Sequence, residues 1–388
     1  MVDEVLIFSR SLPFHHLGGM EVVAWDLAQQ LQISGFDVKV ITTDFDTVIP
    51  TSENTPQIIK IKNIPKAEYS KGWWKETENI SAEWANKEKV RAVISISAGA
   101  FSVLKLKPQF PNAKFIMQAH GTSVGEFVSK LKTRQLKKLL SSIKNVLGFY
   151  SDAKHYCYFD KIVAVGSAVS EDLTSFPTRL ICDKNKVVKI ENGIDEYLFS
   201  DDASSKKTLR QKLNISPESL VFLSASRLHE QKGVDNNIEL FKQIRKLKPN
   251  SKLLICGSGP HEQQLRKKVD TWNLGEDVIF MGAKTRYELA NIMQCADIFL
   301  FLTKRVEGLP LNVLEAMSAG LPLIISDHLT FNSGEKIFKC HPSHFPINEI
   351  YRYIDTVLLK ERKSYIPVKN TLSYSVGEYI SLFRRTSK

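Results

Sequence analysis

An alternation of short apolar runs with segments of helical periodicity most constrains how this chain can fold. EVLIFS (4–9) is the first apolar run, residues 17–36 carry apolar side chains at helical spacing, and DVKVITT (37–43) is the second run. Continuous apolar runs of this length are typical of strands in a parallel sheet that helices cover on both faces. The sequence therefore predicts an α/β fold.

The alternation stops at a polar stretch, residues 200–219, and then restarts. Further strands are predicted at 91–97, 113–120, 161–167, 186–192, 220–226, 251–259, 277–283, 296–303 and 321–327. A chain of 388 residues exceeds the usual limit of a single core, roughly 250–300 residues. We expect two α/β halves joined near residues 193–215.

The composition is that of a globular protein, with 43% hydrophobic and 24% charged residues. No apolar stretch approaches the roughly 18–20 residues that a membrane span requires, and the first apolar run is too short for a signal peptide. The five cysteines are scattered without CxxC spacing, which is typical of reduced packing residues. These features predict a cytoplasmic protein.

The net charge of +11 indicates an anionic partner: nucleic acid, a phosphate-bearing substrate or an anionic membrane surface. No recognised nucleic-acid-binding module appears, so no nucleic-acid partner is predicted. Residues 129–150 contain six basic residues and no acid, with apolar residues at helical spacing. This segment fits a basic amphipathic helix that contacts the inner face of the cell membrane or binds a phosphorylated acceptor. It fits equally well a helix whose apolar face packs against the core and whose basic face is exposed to solvent.

Several unusual residues follow predicted strands, where ligands bind in open parallel sheets. Gly18 and Gly19 lie between the first strand and the first helix, and they either admit a phosphate to the helix N-terminus or form a plain tight turn. His120 ends a strand, where it either bonds a substrate hydroxyl or, as the simpler interpretation, is a capping group.

The second half carries basic and glycine-rich loops. Arg227 and Lys232 follow its first strand, and an arginine fork with a lysine charge can neutralise a diphosphate, although basic loops are common. Gly257 lies in the turn CGSGP, where a nucleotide can approach the backbone. A purely structural turn is the favoured interpretation of that motif alone.

The stretch EGLPLNVLEAMSAGLP (307–322) forms a loop-to-helix junction. Pro310 suits the first helical position, so Gly308 and Leu309 precede a helix whose free amides, near Leu311, favour an anion.

Two glutamates stand eight residues apart in the same stretch. Glu307 lies at the mouth of the loop, and Glu315 lies about one and a half turns inside the helix. Carboxylates accept hydrogen bonds from pairs of hydroxyls, as sugars offer. The alternative is a surface helix with ordinary charges.

No metal and no other cofactor is predicted. The acidic and histidine pairs lack further ligands at metal-binding spacing: Asp44 and Asp46, His15 and His16, and His341 and His344.

These segments together resemble the GT-B glycosyltransferases, specifically the retaining enzymes of glycosyltransferase family 4. The resemblance covers nearly the whole chain, with segments in the family's order: GGMEVVAWDLAQQLQISGFDVKVITT, ENGID, SRLHEQKGVD, LLICGSGP, VIFMGA and EGLPLNVLEAMSAGLPLI. Its most specific element is the Glu-x7-Glu pattern. The family implies two Rossmann-like domains whose parallel sheets face an interdomain cleft. These are residues 1–192, for the acceptor, and 193–372, for the nucleotide-sugar donor, with a C-terminal helix at 373–388 that crosses back to the first domain.

The resemblance also implies roles for individual residues. Glu307 contacts hydroxyls of the transferred sugar, His120 lies near the anomeric centre, and Glu315 binds the nucleotide ribose. Donor binding is implied for Gly18, Gly19, Arg227, Lys232, Gly257, Lys284, Arg286, Gly308, Leu309, Pro310 and Leu311. Within that set Arg227, Lys232 and loop amides hold the pyrophosphate, and Lys284 and Arg286 contact the base.

The implied function is transfer of a sugar from a UDP- or GDP-sugar to a glycan or lipid-linked acceptor, with retention and without a metal, in polysaccharide or glycolipid synthesis. A GT-B sugar-nucleotide epimerase and a catalytically inactive GT-B binding module are the alternatives. The chain departs from many relatives at Leu309-Pro310, where they have Phe-Gly, and after Asp327, where their paired glycines are missing.

Overall fold

The computed structural model describes residues 2–15, 18–47, 49, 52–123, 143–199, 203–305, 307, 309–332 and 334–383. The chain divides into two compact units: unit 1 comprises Met1–Ile194 and Val368–Lys388, and unit 2 comprises Asp195–Pro367. Each unit contains a parallel sheet with helices, so the predicted α/β class is confirmed.

The α-helices of the described residues are α1 (Gly19–Ile33), α2 (Lys71–Ala82), α3 (Ile143–His155), α4 (Ser167–Thr174), α5 (Ala203–Lys212), α6 (Val234–Leu247), α7 (Glu262–Thr271), α8 (Arg286–Cys295), α9 (Leu311–Ser318), α10 (Ile347–Val357) and α11 (Leu372–Phe383). In this part of the chain, no helix combines the length and apolarity that crossing a membrane demands. Of the predicted basic helix at 129–150, residues 129–142 lie outside the described residues, and the remainder belongs to α3.

The strands of unit 1 are β1 (Glu4–Phe8), β2 (Asp37–Thr43), β3 (Gln57–Ile61), β4 (Val90–Ile96), β5 (Lys114–Ala119), β6 (Lys161–Ala164) and β7 (Val187–Lys189). They pair in parallel in the order β3-β2-β1-β4-β5-β6-β7. Edge strand β3 is absent from the sequence prediction because only its last residue, Ile61, is buried. The segment therefore carries no sustained apolar run.

Apolar clusters cover both faces of this sheet. One contains Trp73 of α2 with Phe115 of β5. The other joins α1 and α11, with Trp25 and Ile380 among its buried residues. The last helix therefore completes the core of unit 1.

The strands of unit 2 are β8 (Leu220–Ala225), β9 (Ser251–Cys256), β10 (Val278–Gly282), β11 (Ile298–Phe301), β12 (Leu323–Ser326) and β13 (Ile337–Cys340). They form a parallel sheet in the order β10-β9-β8-β11-β12-β13. Helix α5 lies within the stretch predicted to link the two halves. Its Arg210 donates to Asp297 Oδ2 at 2.7 Å and to the carbonyl of Cys295, which are tertiary contacts that a local pattern does not contain.

Both sheets reverse their strand order, between β1 and β4 in unit 1 and between β8 and β11 in unit 2. In open parallel sheets, the crevice for a ligand lies beyond the carboxyl ends of the strands at such a reversal. The loops after β8 and β11 therefore frame the candidate ligand crevice of unit 2.

Candidate functional site

Three loops at the carboxyl edge of the unit 2 sheet approach one another through glycines. Gly257, after β9, has φ +135°, and a Cβ there would collide with the Ser226 carbonyl oxygen of the loop after β8. Gly233, at φ +66°, leaves room in the same way for the Leu302 carbonyl oxygen, which follows β11. Positive φ together with close backbone approach requires glycine at both positions. This packing fixes where the side chains of the loops can lie.

The first ion pair of the site joins Lys232 to Glu307. Lys232 ends a short 3₁₀ helix, Glu230–Lys232, and its Nζ donates to Glu307 Oε1 at 2.7 Å. Only 18% and 12% of the two side chains are exposed. The structure thus brings together a residue predicted to hold pyrophosphate and a residue predicted to hold the sugar.

The second ion pair holds Glu315, which is buried in α9, against Arg286. Arg286 begins α8, and its Nε lies 3.6 Å from Glu315 Oε1. Its guanidinium also lies 5.6 Å from the centre of the Phe199 ring, within the range of a cation–π contact. The sequence predicts a base contact for Arg286 but does not pair it with Glu315, because the two residues belong to different helices.

Helix α9 begins at Leu311, so the predicted first helical position of Pro310 is wrong by one residue. Pro310 is the N-cap, and its carbonyl accepts from the amide of Val313 at 3.1 Å. The first amides of the helix have no intrahelical acceptor, and they favour an anion. Asn312, which the sequence did not single out, ties this end to the sheet by donating from Nδ2 to the Ala225 carbonyl at 2.7 Å.

The other residues predicted to bind the donor in unit 2 are less constrained. Arg227 is exposed and Leu309 is half-buried. Lys284 Nζ lies 3.9 Å from Glu288 Oε1. Gly308 lies outside the described residues.

In unit 1, His120 follows β5 and contacts a neighbour on the same strand. Its Nε2 lies 2.8 Å from Oε1 of Gln118, a residue that the sequence did not single out. Burial lowers the pKa of His120 to about 4, so the imidazole is neutral at neutral pH. Gly18 is the N-cap of α1 and Gly19 is its first residue, so the glycine pair lies at a helix N-terminus.

Within the described ranges, no group of three or more His, Cys, Asp and Glu side chains is placed to hold a metal ion. His341 and His344 bring their Nδ1 atoms within 3.3 Å of each other, and His15 Nε2 lies 2.9 Å from the hydroxyl of Thr43. His16 is not among the described residues. The cysteines are free, and all except Cys157 are buried.

Two family models match the chain, Glycosyltransferase Family 4 over residues 17–197 and Glycosyl transferases group 1 over residues 205–361. A relative from Methanocaldococcus jannaschii, uncharacterized glycosyltransferase MJ1059, is 30% identical over 175 residues, which cover 45% of this chain and 41% of that protein. Alpha-monoglucosyldiacylglycerol synthase of Acholeplasma laidlawii is 26% identical over 348 residues, which cover 82% of this chain and 79% of that protein. The chain thus spans about two fifths of the length of the first relative and about four fifths of the second.

Among solved structures, sucrose-phosphate synthase (tll1590) from Thermosynechococcus elongatus matches 99% of this chain and 99% of its own, with a TM-score of 0.74 and 18% identity. At this identity the likeness establishes the fold, which is two domains built on parallel sheets. The two family models follow each other along most of the chain in the order that the motifs predict. The chain therefore belongs to the GT-B glycosyltransferases of the family 4-like type.

Proposed function

We propose that this protein transfers a sugar from a nucleotide-sugar donor, a UDP- or GDP-sugar, to a glycan or lipid-linked acceptor with retention of the anomeric configuration. The product is a glycolipid or a surface polysaccharide. Family membership supports the transfer, and the name of the Acholeplasma relative, a glycolipid synthase, favours a lipid-linked acceptor.

The Lys232–Glu307 pair carries the proposal for the donor. A nucleotide sugar presents a negatively charged diphosphate directly beside a neutral sugar that is rich in hydroxyls. Lys232 offers a cation for the first group and Glu307 a two-oxygen acceptor for the second, and the two side chains lie 2.7 Å apart. A single ligand with both groups in adjacent positions can therefore meet both residues.

Glu315 is proposed to bind the ribose. Glu315 is 6% exposed, and the Arg286 Nε lies 3.6 Å from its Oε1. A buried carboxylate with two acceptor oxygens suits the adjacent 2′- and 3′-hydroxyls of a ribose. Lys284 and Arg286 remain the proposed contacts to the base.

For the chemical step we propose a front-face displacement. The bond from the anomeric carbon to the diphosphate breaks, the acceptor oxygen bonds to that carbon on the same face, and a leaving phosphate oxygen takes the hydroxyl proton. Lys232, Arg227 and the first amides of α9 stabilise the negative charge that develops on the diphosphate, so the step needs no divalent metal. Glu307 and His120 are the residues proposed beside the transferred sugar.

A donor panel tests the proposal. UDP-, GDP- and ADP-sugars are screened by thermal stabilisation of the purified chain, for which a ligand at a hundredfold excess over Kd contributes about 2.7 kcal/mol. The selected donor is then incubated with lipid and glycan acceptors, with and without EDTA, and the anomeric configuration of the product is read by NMR. We expect a product of retained configuration that is insensitive to EDTA. Conversion of the donor to its epimer without an acceptor would identify an epimerase, and binding without turnover would identify an inactive module.

We propose that the basic segment at residues 129–150 contacts an anionic membrane surface. Its Lys137 and Lys138 lie outside the described residues, so this prediction is based on the sequence alone. Reversing both charges to glutamate should reduce flotation with anionic liposomes and leave binding to neutral liposomes unchanged. The matched control reverses Lys246 and Lys267, which are exposed in unit 2. Equal flotation of the two double variants would contradict membrane contact through this segment.

A further inference from the structure

A polar pair, Gln118 and Tyr379, lies inside an otherwise apolar part of unit 1. The two side chains are 1% and 2% exposed, and Tyr379 belongs to the apolar cluster that α1 and α11 form. Gln118 Nε2 donates to the Tyr379 hydroxyl at 2.7 Å. Burial of an amide and a phenol costs free energy unless they are hydrogen-bonded, and an apolar pair would fill the same space without that cost.

The same amide reaches His120. Gln118 lies in β5, and His120 comes two positions later, directly after the end of that strand. Because Nε2 of the amide is directed at Tyr379, Oε1 faces the imidazole and accepts from His120 Nε2 at 2.8 Å. The proton of the neutral imidazole is then on Nε2, and Nδ1 is left as a hydrogen-bond acceptor.

We propose that Gln118 and Tyr379 are positioning residues for His120, which hold its imidazole in the Nε2–H tautomer and leave Nδ1 to accept a hydrogen bond from a hydroxyl of the bound sugar. The identity of the sugar partner rests on the proposed function, whereas the tautomer is a property of the protein alone. Helix α11 thereby influences the site through two hydrogen bonds.

In the observed orientation of the amide, the Tyr379 hydroxyl accepts from Gln118 Nε2. If the amide turned by half a rotation, its N–H would face His120 Nε2, and the imidazole would have to carry its proton on Nδ1. His120 Nδ1, which is proposed to bond the sugar, would then be a hydrogen-bond donor rather than an acceptor. The packing of α11 prevents the phenol from moving away, since Val376 and Ile380 of the same helix are buried in the cluster.

Histidine-selective ¹⁵N NMR of the full chain tests the tautomer, with the His120 signals assigned from a His120→Ala variant. We expect Nε2–H for the wild type, and a shift of the ¹⁵N frequencies toward the Nδ1–H form in Tyr379→Phe. The matched control is Tyr365→Phe, which removes a buried hydroxyl that donates to the Leu321 carbonyl at 2.7 Å in unit 2, and it should leave the His120 signals unchanged. An Nδ1–H wild type, or unchanged signals in Tyr379→Phe, would overturn the proposal.

Gln118→Glu provides the functional readout. A carboxylate in the place of Oε1 accepts the same hydrogen bond but raises the pKa of His120 by its negative charge. The imidazolium that forms on acidification has no acceptor nitrogen, so kcat should fall at pH values below the new pKa of His120. The fall should be about tenfold or less, which corresponds to the loss of one hydrogen bond, with little change in KM for the donor. Activity should recover as the pH rises above the new pKa. The same pH profile is expected when Asp172→Asn is added, which removes the carboxylate that bonds Thr122.

Gln118→Met keeps the proposal testable if the buried charge prevents folding. It removes both hydrogen bonds at nearly constant volume, and we expect a lower kcat without a new acidic limb. A purely structural role would lower the melting temperature and leave kcat and the pH profile of the folded enzyme unchanged, which would contradict the proposal. If no donor supports turnover, the proposed function fails while the NMR result still decides the tautomer.

Discussion

Replacement of Glu307 with glutamine should strengthen the binding of the free nucleoside diphosphate while it slows transfer. Lys232 Nζ is paired with Glu307 Oε1 at 2.7 Å, so an incoming diphosphate meets a neutral pair rather than a free cation. Glutamine keeps the size of the side chain and one oxygen acceptor but removes the negative charge. The diphosphate then loses a repulsive neighbour, and the sugar loses a charged acceptor.

The gain in affinity follows from Coulomb's law. Two contacts of ~2.8 Å through Lys232 place a phosphate oxygen about 5.5 Å from the Glu307 carboxylate. At a dielectric constant of about 80, each negative charge of the diphosphate is repelled by ~0.75 kcal/mol. Removal of the repulsion for about two charges is worth ~1.5 kcal/mol, or about tenfold in Kd. Loss of a charged hydrogen bond to the sugar costs about 1.5–3 kcal/mol, which is roughly a 10- to 150-fold loss of kcat.

Titration calorimetry of UDP and GDP at low salt measures the first effect. We expect tighter binding to Glu307→Gln and weaker binding to Lys232→Met, with both differences reduced at high salt. The matched control is Asp355→Asn in α10, which removes the same charge from a 2.7 Å ion pair with Lys248. If Glu307→Gln weakens binding of the nucleoside diphosphate as much as Lys232→Met does, the Glu307 carboxylate does not repel the bound diphosphate. That result would refute the reasoning.

Three further predictions concern the ribose, the glycine contact and the histidine. Glu315→Ala should weaken binding of a nucleoside diphosphate by about 10- to 100-fold in calorimetry but leave binding of inorganic pyrophosphate unchanged. An equal loss of affinity for both ligands would contradict a ribose contact. Gly257→Ala should lower the free energy of unfolding by about 3 kcal/mol in urea, because a Cβ strikes the Ser226 carbonyl at a positive φ; a loss below about 1 kcal/mol would contradict that geometry. His120 has a pKa of about 4 when folded and about 6.5 when unfolded, so the unfolded state binds more protons between these values and stability falls on acidification by up to ~1.4 kcal/mol per pH unit. Urea unfolding of His120→Asn should show a shallower dependence over that range, and equal slopes would refute the assignment.

The strands that could be predicted from the sequence carry continuous apolar runs, and these include the less buried edge strands β7 and β10. β1 and β4 consist almost entirely of buried residues, and their apolar runs are continuous for that reason. β13 carries a single buried residue, Cys340, so its local sequence does not distinguish it from a loop. Helix α5 likewise depends on contacts of Arg210 with residues more than eighty positions away. Edge elements of this kind are specified by tertiary packing rather than by local periodicity.

The site residues differ in how far the sequence could predict their roles. The roles of Glu307 and Glu315 are implied by the family resemblance through the Glu-x7-Glu pattern, but that pattern says nothing of the cations that hold the two acids. Each acid has its own cation in the structure, Lys232 for Glu307 and Arg286 for Glu315. Both pairs arise because the segments that follow β8, β10 and β11 meet at one edge of the sheet, a relation that appears only in three dimensions.

The chemistry of the two cations suits different tasks. Lysine is a rotatable point charge on a flexible stem, so Lys232 can exchange a bond to Glu307 for a bond to a diphosphate. Arginine is a planar fork, and Arg286 is held between the Glu315 carboxylate and the ring of Phe199. We therefore expect donor binding to break the ion pair of Glu307 with Lys232 and to leave the ion pair of Glu315 with Arg286 intact. For this reason we expect the Glu307 variant to change the balance between nucleotide affinity and turnover, whereas the Glu315 variant should only weaken binding of the nucleotide.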